Sequence, residues 1–167
     1  MSTPGARLVA FGDELVRIHQ WLREELAQLR GDVGAYLDGR GERPRELKAH
    51  CLSFCTALTK HHTGEDAGAF PVLAKDFPDL RPIIVKLEED HQMVSSIVLS
   101  LERLINGISD SPDEAEARRV RGELDGLTAI LESHFIFEEG RIVKALNELT
   151  AEDGTTESLL GLSVPTG

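Results

Sequence analysis

Two His-x3-Glu spacings, His61 with Glu65 and His134 with Glu138, fall inside apolar stripes of helical period. Each follows a lone histidine on an earlier stripe, His19 and His91. The interval from His19 to His61 is 42 residues, and from His91 to His134 it is 43. Residues four apart on a helix share a face, with Cβ atoms about 5–6 Å apart, so each pair points side by side at whatever its helix packs against. Neighbouring turns fill the same register with Leu47, Cys51, Phe54 and Leu58 before His61, and with Val120, Leu124, Leu127 and Leu131 before His134. A carboxylate buried there without a partner costs several kcal/mol or is forced neutral. Two buried glutamates beside histidines therefore need a common partner, and the fold must bring four stripes to one core.

Four such stripes are present. The first runs from about Ala6 to the Gly31 region on Leu8, Phe11, Leu15, Ile18, Leu22 and Leu29, and extends toward Val33, Tyr36 and Leu37 before a breaker-rich stretch at 39–44. The second starts near Pro44, a residue suited to a first helical turn, and is expected to end near Phe70-Pro71. Phe77-Pro78 and Arg81-Pro82 bracket a turn into the third, where Ile84, Leu87, His91, Val94, Val98, Leu101 and Ile105 form a heptad-like seam. Asn106-Gly107 and Ser111-Pro112 separate it from the fourth, which Ile142 and Leu146 continue beyond Glu138. These features predict an all-α chain folded as an antiparallel up-down-up-down four-helix bundle. The domain is expected to cover residues 1–150, with the Thr-, Ser- and Gly-rich residues 151–167 as a C-terminal tail.

Composition agrees and narrows the partners. Of the 167 residues 41% are hydrophobic but only 5% aromatic, which suits helices packed on helices better than a sheet. A net charge of −11 and a pI near 5.0 lack the basic face that nucleic acid or an anionic membrane requires. No apolar run approaches the roughly 18 residues of a membrane span, and the start Met-Ser-Thr-Pro-Gly-Ala-Arg lacks the layout of a signal peptide. The expectation is a cytoplasmic chain with neither nucleic acid nor membrane as partner. Cys51 and Cys55, the only cysteines, lie one turn apart and are most simply small core residues.

A pair of metal ions answers the need for a common partner. Glu65 and Glu138 can bridge two ions while His19, His61, His91 and His134 cap them, two imidazoles to each. Imidazole with carboxylate suits iron, manganese or zinc. Taken singly, each residue has a plainer reading: His91 as a satisfied core histidine, His19 as a rim residue, each His-Glu pair as a surface hydrogen bond. Taken together they require an accidental twofold pattern. His62 is rotated about 100° from His61 and is expected at a helix edge or in solvent. His50 shares the face of His61 but lies about 16 Å away along the axis. Asp66 and Glu139, each following a proposed ligand, are expected behind the ligands or at the surface. Gly64, which costs about 1 kcal/mol against Ala inside a helix, either leaves room near the site or is a packing glycine.

With Arg17-Ile18-His19, His61-His62-x2-Glu65-Asp66-x3-Phe70-Pro71, Glu89-Asp90-His91 and His134-Phe135-x2-Glu138-Glu139 in hand, the chain resembles the hemerythrin-like (HHE cation-binding) family over roughly residues 8–148. The resemblance implies an up-down-up-down bundle holding two iron ions in a non-haem, oxo- or hydroxo-bridged site. The chain departs from oxygen-carrying hemerythrins on the third helix, where they have two histidines one turn apart and this chain has Leu87 and Ser95 around His91. It also has His134-x3-Glu138 where they have His-x4-Asp. One histidine fewer leaves both metals open, which points away from reversible oxygen carriage. His62 and Tyr36 are the first candidates for a further ligand. Three functions follow: a di-iron protein, and so an oxidoreductase if it turns over, that binds or reacts with oxygen, peroxide or nitric oxide; a non-catalytic iron or oxygen sensor; and a partner-binding bundle.

Overall fold

Leu15, Ile18, Leu22 and Leu29 recur at helical spacing, and in the computed structural model all four are fully buried along one helix, α1 (Phe11–Leu37). The structure describes residues 10–40 and 44–164. After α1 come α2 (Pro44–Ala67), α3 (Ala69–Asp76), a short 3-10 turn at Pro78–Leu80, α4 (Arg81–Asn106), α5 (Glu114–Leu146) and α6 (Thr156–Leu160). Every regular element among the described residues is helical. The expected start of the first helix near Ala6, with Leu8, lies outside the described residues. No described helix is long and apolar enough to cross a membrane.

The four long helices enclose one core, with α1 packed on α2 and α5, and α4 packed on the same two. The core is the four predicted stripes. Leu47, Phe54 and Leu58 from α2 meet Leu87, Val94 and Leu101 from α4 and Val120, Leu127 and Leu131 from α5, all nearly or fully inaccessible. Each such side chain contributes about 1.5–3 kcal/mol on burial. Cys51 and Cys55 are buried among them as free thiols, their sulfurs 3.8 Å apart.

Two boundaries differ from expectation. The second predicted helix is two helices, because α2 stops at Ala67 and Gly68 breaks the run with φ −111° and ψ −83°. Pro71 then falls in the first turn of α3, where its missing N–H has no helical acceptor to lose. It therefore opens a helix that buries Phe70 and Leu73 instead of ending one. Residues 151–164 of the expected tail also carry structure, while 165–167 lie outside the described residues: α6 packs on α1, α2 and α3 and buries Leu159, Leu160 and the following Leu162. Its Thr, Ser and Gly are caps and turns. Thr155 Oγ1 accepts from the Ser158 N–H at 3.0 Å, and Ser158 Oγ accepts from the Thr155 N–H at 2.8 Å, a reciprocal cap.

The two ends of the helical array are tied together. Ala10 offers α1 no side-chain cap; instead Asn147, just past α5, accepts from the Gly12 N–H at 2.7 Å and the Asp13 N–H at 3.3 Å. Gly12 permits this approach, since a Cβ there would overlap the Val143 carbonyl. Asn147→Ala should therefore destabilise the protein by about 1 kcal/mol, the usual worth of a helix cap. Urea unfolding measures it, and an unchanged midpoint and slope would mean that the contact adds nothing.

Candidate metal centre

Seven ionisable side chains interrupt the apolar core at one level. His19 comes from α1, His61, His62 and Glu65 from α2, His91 from α4, and His134 and Glu138 from α5, and none is more than 5% exposed. The six residues singled out in the sequence are thus brought together. Glu138 lies between two groups of rings, with Oε1 3.4 Å from His19 Nε2 and Oε2 3.2 Å from His134 Nε2. Glu65 Oε1 is 3.3 Å from His61 Nε2 and 3.4 Å from His91 Nε2.

His62 joins them, contrary to the expectation of an edge or solvent position. It is 5% exposed, and its ring stacks on His91 with centroids 3.8 Å apart and stands edge-on to His134 at 5.2 Å. The reason is the packing of α2, which meets α1 and α4 at once. A residue 100° around from His61 on this helix still faces a neighbour. Five imidazoles, not four, are aimed at the cluster. Tyr36 is elsewhere, its hydroxyl donating to the Ser109 carbonyl at 2.6 Å, and His50 pairs with Asp32 at 3.0 Å outside the site.

The donor atoms themselves are unpartnered. Nε2 of His19, His61, His62, His91 and His134 and both carboxylate oxygens of Glu65 and Glu138 are buried without a hydrogen bond. Their opposite faces are held. His19 Nδ1 meets Glu139 at 2.7 Å, His91 Nδ1 meets Asp66 at 2.8 Å, His134 Nδ1 meets Asp90 at 3.4 Å, and His61 Nδ1 donates to the Leu160 carbonyl at 2.7 Å. An acceptor behind Nδ1 keeps the proton there and leaves the Nε2 lone pair free, which is how metal-binding histidines are oriented. Four overlapping sets within the cluster could hold an ion: His62, His91 and His134; His19, His61 and Glu138; His61, His62 and Glu65; and Glu65, His91 and Glu138. Asp66 and Glu139 were legible as residues beside ligands. Asp90 was visible only as the neighbour of His91, and a backbone carbonyl such as that of Leu160 leaves no mark in sequence.

Residues 11–146 match the family model of the Hemerythrin HHE cation binding domain. The chain belongs to that family. No curated protein and no solved structure matches it.

In this hemerythrin domain the ionisation of the cluster follows from burial and crowding. Burial, then the Glu138 charge, push the Glu65 carboxyl well above its usual range. Burial works against Glu138 too, but Glu65, His134, His19 and His91 hold it well below that range, so Glu65 keeps a proton that Glu138 gives up. Burial takes His61 down to about 3 and His62 well below normal, leaving both neutral. For His91 burial is outweighed by Asp66, Glu138 and Glu65, and its ring is raised to about 11. For His19, too, burial is outweighed by Glu138 and Glu139, so its ring is raised, and the shifts on Glu65, His91 and His19 all favour protonated forms that a metal ion must displace.

The sign follows directly: lowering the pH favours the protonated cluster, so metal affinity should fall as pH falls and rise as pH rises toward 11. Filling the metal-free protein at pH 7 should release a measurable number of protons, because Glu65, His91 and His19 are all shifted toward their protonated forms. Calorimetric titration in buffers of different ionisation enthalpy measures this number. Loading without proton release would contradict the ionisation pattern.

Proposed function

We propose that this domain is a dinuclear non-haem iron protein that binds or reacts with a small molecule: oxygen, peroxide or nitric oxide. The observation that carries the reading is the set of nine buried, unpartnered donor atoms, five imidazole nitrogens and four carboxylate oxygens. One ion with six ligand positions cannot use nine donors, and two can. Nitrogen donors with a minority of carboxylates suit iron, with manganese and zinc as the alternatives.

In this reading His62, His91 and His134 would hold one ion, His19 and His61 would hold the other, and the carboxylates of Glu65 and Glu138, which lie between the rings, would be shared. His62 then supplies the imidazole that the third predicted helix lacks, from α2 instead of α4. The two sides would then differ in imidazole number, three against two. An up-down-up-down order of α1, α2, α4 and α5 fits the brief connections between α1 and α2 and between α4 and α5.

A bound iron pair supplies redox capacity and a place for an exogenous ligand. The chain's own residues set the conditions. Phe135 stacks on His19 at 4.1 Å and Phe70 on His91 at 5.4 Å, walling the cluster with apolar rings. Two clefts approach the three-histidine side along α4, one of about 180 Å³ lined by Thr59, His62, His91 and Ser95, the other of about 490 Å³ lined by Lys86, Asp90, Met93 and His134. Among the described residues every buried histidine or carboxylate is a donor of the cluster or, in Asp90, the group behind one. With no separate acid or base in the core, ligand binding or stoichiometric reaction is favoured over multi-step turnover. A sensor is the second reading, favoured by the contact of α6 with His61.

Protein produced with ample iron should carry two ions per chain by elemental analysis, and Glu138→Ala or Glu65→Ala should load far less. His62→Ala should lower affinity by on the order of 10–100-fold. A single tightly bound ion, or normal loading in all three variants, would overturn the dinuclear assignment. The reduced iron-loaded protein should change its optical spectrum on adding oxygen, peroxide or nitric oxide. A spectrum indifferent to all three would remove the small-molecule reading.

A further inference from the structure

We propose that residues 155–162 act as a clasp that positions His61 for metal, so that docking of this segment and occupancy of the His19–His61 side depend on each other. The inference rests on the dinuclear reading above and concerns a part of the chain beyond residues 11–146, the stretch matching the family model.

The contact is built from backbone. His61 Nδ1 donates to the Leu160 carbonyl at 2.7 Å, and both residues are fully buried. Gly161 ends α6 with φ +87°, a conformation that glycine adopts without strain. A Cβ on Gly161 would overlap the Lys60 carbonyl and the His61 backbone, so the segment lies directly on α2 at the ligand. From the other side, a Cβ on Gly64 would overlap Gly161, and one on Gly68 would overlap the Ser158 carbonyl. Gly64 on α2 and Gly68 just past its end thus form a notch that receives residues 158–161. Leu159, Leu160 and Leu162 anchor the segment in the core.

The other three rings held at Nδ1 have acidic side chains from α2, α4 or α5 behind them, all elements of the bundle itself. His61 alone depends on a separate segment. With Leu160 in place, the Nδ1 proton is fixed and Nε2 faces the cluster. With it gone, the buried Nδ1–H loses its acceptor and the ring is free to turn. An ion on Nε2 draws density from the ring and strengthens the Nδ1–H···O bond, so metal favours docking. By reciprocity docking favours metal to the same degree.

The test uses two variants in different elements with one expected phenotype. Gly161→Val blocks docking from the segment. Gly64→Ala blocks it from α2 while raising the intrinsic helix propensity of α2. Gly126→Ala on α5, whose Cβ meets open space, is the control. Each protein is loaded anaerobically with iron(II) and challenged with a chelator while the iron retained per chain is followed. Both clasp variants should release one ion 10–100-fold faster than wild type and keep the second longer, whereas the control should match wild type. Limited proteolysis of the unaltered protein provides a second measurement: cleavage between Asn147 and Thr155 should be slower with iron than without. Release kinetics like wild type in both variants, or cleavage indifferent to iron, would overturn the clasp and leave the dinuclear reading standing. Failure of wild type to bind iron at all would remove both. If neither variant folds, the proteolysis of wild type still decides.

Discussion

An unpaired buried polar group costs about 1–3 kcal/mol, and nine buried donor atoms without a hydrogen bond lie together at one level of this core. The metal-free molecule relieves part of this by keeping a proton on Glu65 and leaving His61 and His62 neutral. That relief comes from neutralising charge, and Nε2 of His61 and of His62 still lacks a hydrogen bond. The leucine, valine and phenylalanine layers above and below the cluster must offset the remainder, which explains stripes that continue several turns beyond the site on all four long helices. Ligation would convert the same atoms from the costliest part of the core to its strongest cross-link, joining α1, α2, α4 and α5 at one point.

How much of this was legible follows from what period-based reasoning can see. The stripes gave the long helices and the core, because a helix's buried face repeats every three to four residues. The two His-x3-Glu pairs stood out because they occupied that face, and all six chosen residues lie within the cluster. His62 was misplaced because one stripe per helix assumes one buried face, whereas α2 is contacted by α1, α4, α3 and α6. Gly64 carried a signal that could not be resolved without the fold: the space it leaves is filled by Gly161, not by a ligand. The α6 segment was hidden for a related reason. Its polar and glycine content reflects capping and close approach, which composition alone cannot tell from a solvated tail.

The supports behind the rings differ in kind, and the difference bears on which ligand is the most adjustable. Glu139 behind His19 is itself held by Arg23 at 3.1 Å, and Arg23 also lies over the Phe135 ring. Asp90 behind His134 is held by Lys86 at 2.6 Å. These carboxylates, anchored by cations, orient their imidazoles and stay in place while the bundle is folded. Leu160 offers a neutral carbonyl, which gives the His61 ring less electron density than a carboxylate would. Its position rests on a few leucines and a glycine-to-glycine contact. Under the proposed two-ion assignment, the residue with the weaker support, on the side with fewer imidazoles, is where a small change in packing would alter metal affinity most. In that assignment the asymmetry in imidazole number that His62 would introduce is matched by one in the groups behind the rings, and both converge on His61.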